Sequence, residues 1–306
     1  MCIRDRQDIV DQTVGQFSSD AQVLNNRVFL NNQPQYKDTA PAQYKKQDVA
    51  GAKALLEGDG YTLGADGIYT KGGKPLSFKI DTTANNPLRE QTINVMIPQL
   101  KQAGIGATYN ANPDIFASKD KPTSLEAGGF QIALFAWVGT PFVSSSASIY
   151  KTPVGDNVQQ NYSRTGTPAM DALWDQLSAE PDTAKQADLG NEIDKQLWDQ
   201  MATIPLYQKP TFIAYQSSIK NVKDNPSTAG PLWKATGPHG PWDPPPGGRG
   251  VSATDVTALC PVGDPRGHRR GTPRRPPGRP IRTTCGLGRG EVAELVVPTG
   301  RLPLPA

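Results

Sequence analysis

The stretch FQIALFAWVGTPF, residues 130–142, decides the fold class because it reads as a buried strand that stops at a turn. Phe130–Trp137 is an apolar run of strand length, interrupted by Gln131 alone, which is typical of a buried strand. The Gly-Thr-Pro at 139–141 ends it. Trp137 is then either the last side chain of a hydrophobic core or part of the wall of a cleft. The rest of the chain bears on that choice.

Charge and composition divide the 306 residues into two parts. Residues 1–234 hold 17 Lys and 5 Arg against 24 acidic residues, whereas residues 235–306 hold 10 Arg, 5 acidic residues and no Lys. The second part also contains 14 Pro and 13 Gly, and its one short apolar run is at 292–297. Such a segment cannot bury enough apolar surface to offset its ordering entropy. We therefore expect residues 235–306 to form a disordered tail.

Three interpretations of this tail are open. A GC-rich reading frame translated out of register loses Lys and gains Arg, Pro, Gly and Ala, so a frameshift or fusion artefact is favoured. The tail could instead be an inert linker, or a basic arm that binds nucleic acid or an anionic membrane through its Arg side chains. The Arg-rich stretch at 266–282 has no interleaved aromatic residue, which weakens the last interpretation.

Residues 3–234 lack the side chains on which most catalytic and metal sites depend. The two histidines are His239 and His268, and the three cysteines are Cys2, Cys260 and Cys285. Without an imidazole base, a thiolate or a His/Cys ligand set, most hydrolases and zinc enzymes are excluded for this part. The glycines at 64, 67, 72 and 73 match no phosphate-binding fingerprint. The sequence therefore predicts a binding protein rather than an enzyme, with no cofactor.

Hydrophobic periodicity predicts alternating helices and strands up to residue 215. Predicted helices begin near residues 6, 48, 87, 168 and 183, and predicted strands cover 76–80, 107–110, 130–137 and 204–208. Turn signatures at 64–67 and 72–75 predict a hairpin between the second helix and the first strand. This alternation is typical of a mixed α/β domain.

Eight short strings along this part resemble the C-terminal lobe of the family 5 extracytoplasmic solute-binding proteins, the oligopeptide- and dipeptide-binding components of ABC importers. Each string is weak alone, but their order over about 230 residues is specific, and the resemblance stops near Trp233. The strings are Asp8-Ile9-Val10 after Arg6, Asp48–Glu57 with Gly60-Tyr61, Asp66–Tyr69 with Gly73–Leu76, Gln99-Leu100-Lys101 with Gly104-Ile105, the strand ending in Trp137, Asn161-Tyr162, Met170–Leu173 and Ile204–Tyr207.

The resemblance implies the type II periplasmic-binding fold, two α/β lobes on a hinge, of which the second lobe is present. It implies that residues 1–45 start this lobe and form a hinge-side loop, that 46–204 are the ligand-binding lobe, and that 205–234 return toward the first lobe. We expect a fragment whose first lobe and export signal lie upstream. The implied protein is an extracytoplasmic monomer, periplasmic or a cell-surface lipoprotein, that binds no nucleic acid.

The resemblance also implies capture of peptides or another small polar solute for delivery to ABC permease subunits. In peptide-binding relatives a Trp after this strand lies near the ligand, and an Asp three residues later pairs with the peptide ammonium. Trp137 is kept here, whereas Thr140 replaces the Asp, which leaves the identity of the ligand open. The expected ligand-binding residues are Trp137, Gly139, Thr140, Phe142, Ser144, Ser145, Asn161 and Tyr162.

Some of these residues also have a structural interpretation. Asn161 could equally be a turn-forming residue, or brace its loop instead of contacting a ligand, and Tyr162 could be part of the core. The alternative function is a stand-alone interaction protein whose basic tail binds nucleic acid or an anionic membrane.

Overall fold

Helices and strands alternate along the chain, of which this computed structural model describes residues 5–138, 142–216, 222–223, 232–233 and 281–297. The strands are β1 (Thr62–Leu63), β2 (Tyr69–Lys71), β3 (Lys74–Pro75), β4 (Ser77–Thr83), β5 (Gly106–Asn112), β6 (Ile132–Val138), β7 (Thr203–Gln216), β8 (Val222–Lys223), β9 (Leu232–Trp233) and β10 (Ile281–Val296). The α-helices are α1 (Arg6–Gln12), α2 (Val49–Gly58), α3 (Pro87–Gln102), α4 (Ala147–Tyr150), α5 (Pro168–Ala179) and α6 (Thr183–Gln200).

A mixed five-stranded sheet in the order β5-β4-β6-β10-β7 organises these elements. β4 pairs in parallel with both β5 and β6, whereas β10 lies antiparallel between β6 and β7. The carboxyl ends of β4, β5 and β6 therefore meet at one edge of the sheet. We call this the carboxyl edge.

β6 confirms the strand predicted from FQIALFAW, and its side chains alternate between two cores. Ile132 and Leu134 pack with apolar residues of α1 and α3, whereas Ala133, Phe135 and Trp137 pack on the opposite face, under the loop that joins β5 to β6. Because both faces of the strand are covered, its sequence reads as one apolar run rather than as an alternation.

Side-chain caps fix the predicted helix starts. Asp48 accepts a hydrogen bond from the backbone N–H of Gly51 at the start of α2, and Thr167 accepts one from Met170 at the start of α5. Each bond satisfies an N–H that has no partner within its own helix. α5 and α6 then pack together around a third core that includes Trp174. In the described part of the chain, no helix is both long enough and apolar enough to span a membrane.

Residues 281–297 correct the expectation that the whole of 235–306 is disordered. They form β10 and the residue after it, and Ala293, Leu295 and Val296 are buried in the sheet. The reason is tertiary, because the gap between β6 and β7 offers hydrogen-bond partners on both sides of one strand. Residues 235–280 and 298–306, including most of the Arg-rich stretch, lie outside the described residues. The boundary predicted after residue 204 falls within β7.

The short strands β1, β2 and β3 form a separate hairpin sheet. It lies at the amino ends of β4 and β5, opposite the carboxyl edge. Its position is fixed by the backbone N–H of Tyr69, which donates to the carbonyl oxygen of Gly104 at 2.8 Å, just before β5 begins. The side chain of Leu63 in this hairpin is exposed. Leu63 therefore marks a surface remote from the carboxyl edge.

Gly129 lies where the loop before β6 passes the backbone of Pro122 without room for a side chain. A Cβ at Gly129 would lie 1.7 Å from the Pro122 carbonyl oxygen, whereas a Cβ at Gly58 in α2 meets nothing within 4 Å. We expect Gly129→Ala to lower the free energy of unfolding by about 1–3 kcal/mol because backbone atoms must move. We expect Gly58→Ala to raise it by about 0.5–1 kcal/mol, since it removes a flexible residue from a helix. Urea unfolding measures both, and equal effects would contradict this packing of the loop.

Candidate ligand-binding site

The carboxyl edge brings together the loops that follow three parallel strands. Ligands of open α/β sheets bind outside the carboxyl ends of the strands, where such loops project. Trp137 lies near the end of β6, and Phe116 lies in the loop that follows β5. Arg89, in the first turns of α3, donates to the hydroxyl of Thr83 at the end of β4. The edge thus carries both aromatic and polar side chains.

Trp137 and Tyr162 stack on each other at this edge. Their ring centroids are 5.8 Å apart and the planes are inclined by 12°, while Phe135 meets Trp137 edge-on at 5.1 Å. Such pairs favour each other beyond the area that they bury. Trp137 and Tyr162 are both half-buried. Trp137 therefore closes the core beneath β6 and still keeps part of its surface exposed.

A buried cluster of charged side chains binds the indole N–H of Trp137 on the core side. Trp137 Nε1 donates to Glu294 Oε2 at 3.1 Å. The other oxygen of this carboxylate, Oε1, lies 3.6 Å from Arg27 Nε, and Arg27 Nη1 lies 3.3 Å from Asp194 Oδ1. All three charged side chains are fully buried. The orientation of a predicted site residue thus depends on β10, which was expected to be disordered.

Burial shifts the pKa values of Glu294 and of the neighbouring Tyr150. It raises the pKa of the Glu294 carboxyl, and the nearby Arg27 guanidinium acts in the opposite direction. Burial likewise raises the pKa of the Tyr150 hydroxyl well above its usual value, and the neighbouring Glu294 adds to that shift. Tyr150 therefore stays neutral and Arg27 supplies the positive charge that keeps two acids in the interior.

The loop after β6 contains five of the predicted site residues. Gly139 and Thr140 lie outside the described residues. Phe142 leaves 73% of its surface exposed, and Ser144 belongs to the short 3₁₀ turn that follows it. Ser145 Oγ donates to the carbonyl oxygen of Phe142 at 2.7 Å, so this hydroxyl shapes the turn. Phe142 is left as a large apolar side chain facing solvent.

Asn161 is buried inside its own loop. Its Nδ2 donates to the carbonyl oxygens of Lys151 at 2.8 Å and of Thr165 at 2.5 Å, and its Oδ1 accepts from Ser163 Oγ at 2.7 Å. These contacts make Asn161 a brace that positions the neighbouring Tyr162. Of the eight predicted residues, the structure thus brings Trp137 and Tyr162 into direct contact and uses Asn161 to support them.

A larger groove lies elsewhere. It has a volume of about 1210 Å³ and lies between the loop at 37–41 and α6, where Lys37, Asp188 and Lys195 contribute charges of both signs to an open surface. It contains none of the predicted site residues. A smaller cavity of about 230 Å³ lies directly against Tyr162 at the carboxyl edge. We assign the site to the carboxyl edge because strand direction and aromatic clustering coincide there. Within the described ranges, no three His, Cys, Asp or Glu side chains cluster as a metal site would require.

Comparison with known proteins places this geometry in a family. The family described as "Bacterial extracellular solute-binding proteins, family 5 Middle" matches residues 3–157. An "Oligopeptide-binding protein OppA" from Mycobacterium bovis is 27% identical over 215 residues, which are 67% of this chain and 33% of that protein. The chain therefore spans about a third of the length of the curated relatives that it matches.

Solved structures share the fold. A "Periplasmic EDTA-binding protein EppA" superposes with a TM-score of 0.63 at 24% identity, covering 74% of this chain and 41% of that one. The oligopeptide-binding protein AppA from Bacillus subtilis, in complex with a nonapeptide, superposes with a TM-score of 0.52 at 20% identity and covers 67% and 38%. Both likenesses support the α/β fold of a type II periplasmic-binding protein, matched over one part of each neighbour.

Proposed function

This chain belongs to the family 5 bacterial extracellular solute-binding proteins, and we propose that it is part of a component that captures short peptides for an ABC importer. Capture occurs outside the cytoplasmic membrane, and the permease subunits receive the loaded protein. The residues of this chain contribute the second of two lobes that close on the ligand. Binding rather than catalysis is the role, so the ligand leaves chemically unchanged.

The aromatic group at the carboxyl edge is the observation that carries this proposal. Trp137 and Tyr162 present a rigid stacked pair, and Phe142 adds a large exposed apolar side chain beside the end of β6. Exposed aromatic surface with a few polar groups is typical of small-ligand sites, because rings bury much area at little entropic cost. The side chains of Trp137, Tyr162 and Phe142 are proposed to contact the peptide.

Closure is the proposed mechanism of capture. A ligand that contacts both lobes binds the closed form more tightly than the open form, so it shifts the population toward closure. The buried cluster of Arg27, Asp194 and Glu294 supports Trp137 from the interior and so keeps one wall of the cleft fixed while the lobes move. A fixed wall limits the ordering entropy that binding has to overcome.

The relatives differ in what their names say they bind. OppA is named for oligopeptides, AppA was solved with a nonapeptide, and EppA is named for EDTA. We favour peptides because OppA, which matches over 215 residues, is named for them, and because the carboxyl edge presents aromatic surface. The absence of a carboxylate at position 140 argues that the ammonium of such a peptide is held by another acid or by main-chain oxygens.

Substitution of Phe142 tests the proposed site. We expect Phe142→Ala to weaken binding of a mixed tripeptide pool to the 306-residue chain by about five- to tenfold, since a large exposed contact residue is lost. Isothermal titration calorimetry measures the change. The free energy of unfolding should change by less than about 0.5 kcal/mol, because Phe142 is mostly exposed.

Leu63→Ala is the matched control. It removes another exposed apolar side chain, from the hairpin at the opposite edge of the sheet, and should leave peptide affinity unchanged. If Leu63→Ala weakens binding as much as Phe142→Ala does, the site is not at the carboxyl edge. If wild-type protein binds no peptide in the pool, the proposed function fails.

A further inference from the structure

A small cavity adjoins the stacked pair on the side of the loop that joins β5 to β6. Its volume is about 230 Å³, which suits one side chain of a ligand better than a whole ligand. Phe116 supplies an aromatic wall, the buried side chains of Ile115 and Leu125 lie beneath the floor, and Tyr162 forms the wall toward Trp137. Phe116 leaves 52% of its surface exposed, so the cavity opens past an aromatic ring that is only partly covered.

One carboxylate, that of Glu126, lines this cavity. Its Oε2 accepts a hydrogen bond from the backbone N–H of Lys119 at 2.8 Å. Among the side chains that the structure describes, no Lys or Arg lies within ion-pair distance of Glu126, although eight other ion pairs are formed. The main-chain bond holds the carboxylate in place without neutralising it. The cavity thus has two partly exposed aromatic rings, the polar side chain of Ser118 and one negative charge along its walls.

The pKa of the Tyr162 hydroxyl is affected by the same carboxylate. Burial raises the pKa of its hydroxyl, and the neighbouring Glu126 raises it further. A neutral phenol beside a carboxylate presents a ring face and a hydroxyl to a cation, both of which favour a positive group. The ring and the carboxylate therefore act in the same direction on a charged ligand.

Arg164 ties the two walls of the cavity together. Its Nη1 donates to the carbonyl oxygen of Tyr162 at 2.8 Å, and its Nη2 donates to that of Glu126 at 2.7 Å. Gly128 makes room for the guanidinium, since a Cβ at that position would lie 2.9 Å from Arg164 Cζ. The guanidinium bonds to main-chain oxygens, so it positions the loop of Glu126 against Tyr162 while the carboxylate stays available.

We propose that this cavity receives a basic side chain of the bound peptide, with the aliphatic stem against the rings of Phe116 and Tyr162 and the ammonium or guanidinium at Glu126. The inference rests on the proposed function, because it assumes that a peptide binds at the carboxyl edge. A four-carbon stem gains from contact with the two rings, while its charged end meets an acid that has no basic partner among the described side chains. An acidic side chain meets the same carboxylate with like charge and is disfavoured.

Matched tripeptides test this assignment. Calorimetric titration of the 306-residue chain uses trialanine with Lys at each position in turn, and the same series with norleucine and with Glu. Norleucine keeps the stem and lacks the charge. For at least one position, Lys should bind about tenfold more tightly than norleucine, as expected for a charge-assisted contact, and Glu should bind most weakly.

Glu126→Gln assigns the preference to this residue. Gln keeps the size of the side chain and an oxygen for the Lys119 N–H, so the loop should keep its shape. The variant should bind the Lys and norleucine peptides equally, with unchanged affinity for norleucine. Glu192→Gln, which removes one exposed acid from α6, should leave the Lys preference intact.

The outcomes separate this inference from the proposed function. If the peptides bind but Lys and norleucine are equivalent, or if the Lys preference survives in Glu126→Gln, the cavity assignment is overturned and peptide capture stands. If no peptide of any series binds, the proposed function fails and the cavity assignment fails with it.

Discussion

A chain that ends after Pro280 is expected to lose its cooperative unfolding transition, because β10 is then absent. β10 lies between β6 and β7 and pairs with both, and its buried side chains include Leu295 and Val296. Burying one such side chain contributes about 1.5–3 kcal/mol, and a whole internal strand contributes several times that. This is comparable with the total stability of a domain, about 5–15 kcal/mol. Circular dichroism during urea titration measures the loss.

A chain that ends after Val297 is the matched control for this truncation. It lacks residues 298–306 but retains β10 and every contact described above, so its unfolding should match that of the full chain. Leu295→Ala shortens one buried side chain of β10 instead of removing the strand, and should lower the free energy of unfolding by about 2–5 kcal/mol. A cooperative, unshifted transition in the chain ending after Pro280 would show that residues 281–297 are not part of the sheet.

Arg27→Met is expected to lower the free energy of unfolding by about 3–5 kcal/mol, because it leaves Asp194 and Glu294 buried without their counter-charge. It also removes the bond from Arg27 Nε to Thr203 Oγ1, at 2.9 Å, and the guanidinium that lies 4.1 Å from the centre of the Trp198 ring. Urea unfolding near pH 7 measures the effect. The loss should also loosen Trp137, whose indole donates to Glu294.

Lys37→Met is the matched control for Arg27→Met. Lys37 pairs with Asp188 at 2.8 Å, but the two side chains are 62% and 73% exposed. Such surface pairs contribute about 0–1 kcal/mol. If Lys37→Met and Arg27→Met destabilise equally, the buried cluster does not exist as described.

The loss of unfolding free energy caused by Arg27→Met should become smaller as pH falls from about 7 to about 5. Burial raises the pKa of Glu294, so the folded protein takes up a proton there at a pH where the unfolded chain is still ionised. The folded state then binds more protons than the unfolded state, so its stability rises as pH falls. The charge of Arg27 lowers the pKa of Glu294, so Arg27→Met should raise that pKa further. The variant therefore gains more stability from acidification than the wild-type protein does. A deficit that is constant over this range would contradict burial of the Glu294 carboxylate.

The regular elements were predictable because their signals are local. The cap at Asp48 and the apolar run of β6 lie within a few residues of what they determine. Each prediction depended on hydrogen-bonding or burial patterns that a short window contains. The α/β fold followed from their alternation.

β10 was missed because its signal is not local. Residues 281–291 are rich in Arg, Gly and Thr, and the apolar run at 292–297 is too short to predict a strand within a Pro- and Gly-rich tail. β10 forms because β6 and β7 both offer hydrogen-bond partners to one strand between them, which a single sequence does not reveal. Tertiary pairing overrides local propensity in such cases.

Only some of the proposed site residues have a local signal in the sequence, and that they bind a ligand stays a prediction. Trp137 and Tyr162 were identified from their family strings, and their stacking agrees with a shared role. The ion cluster behind Trp137 was missed because Arg27 lies in a polar, Asn-rich segment with no apolar period, and its partners are more than 160 residues away. Glu126 likewise has no motif, since its significance comes from the cavity beside it.

Amide hydrogen exchange of the 306-residue chain, with and without a saturating pool of tripeptides, tests peptide capture at the carboxyl edge most directly. We expect slower exchange in the peptide-bound protein at 113–118, at the end of β6, at 142–146 and at 160–164, and no change in the β1–β3 hairpin. Slower exchange confined to the groove between residues 37–41 and α6, or no change anywhere, would contradict the account.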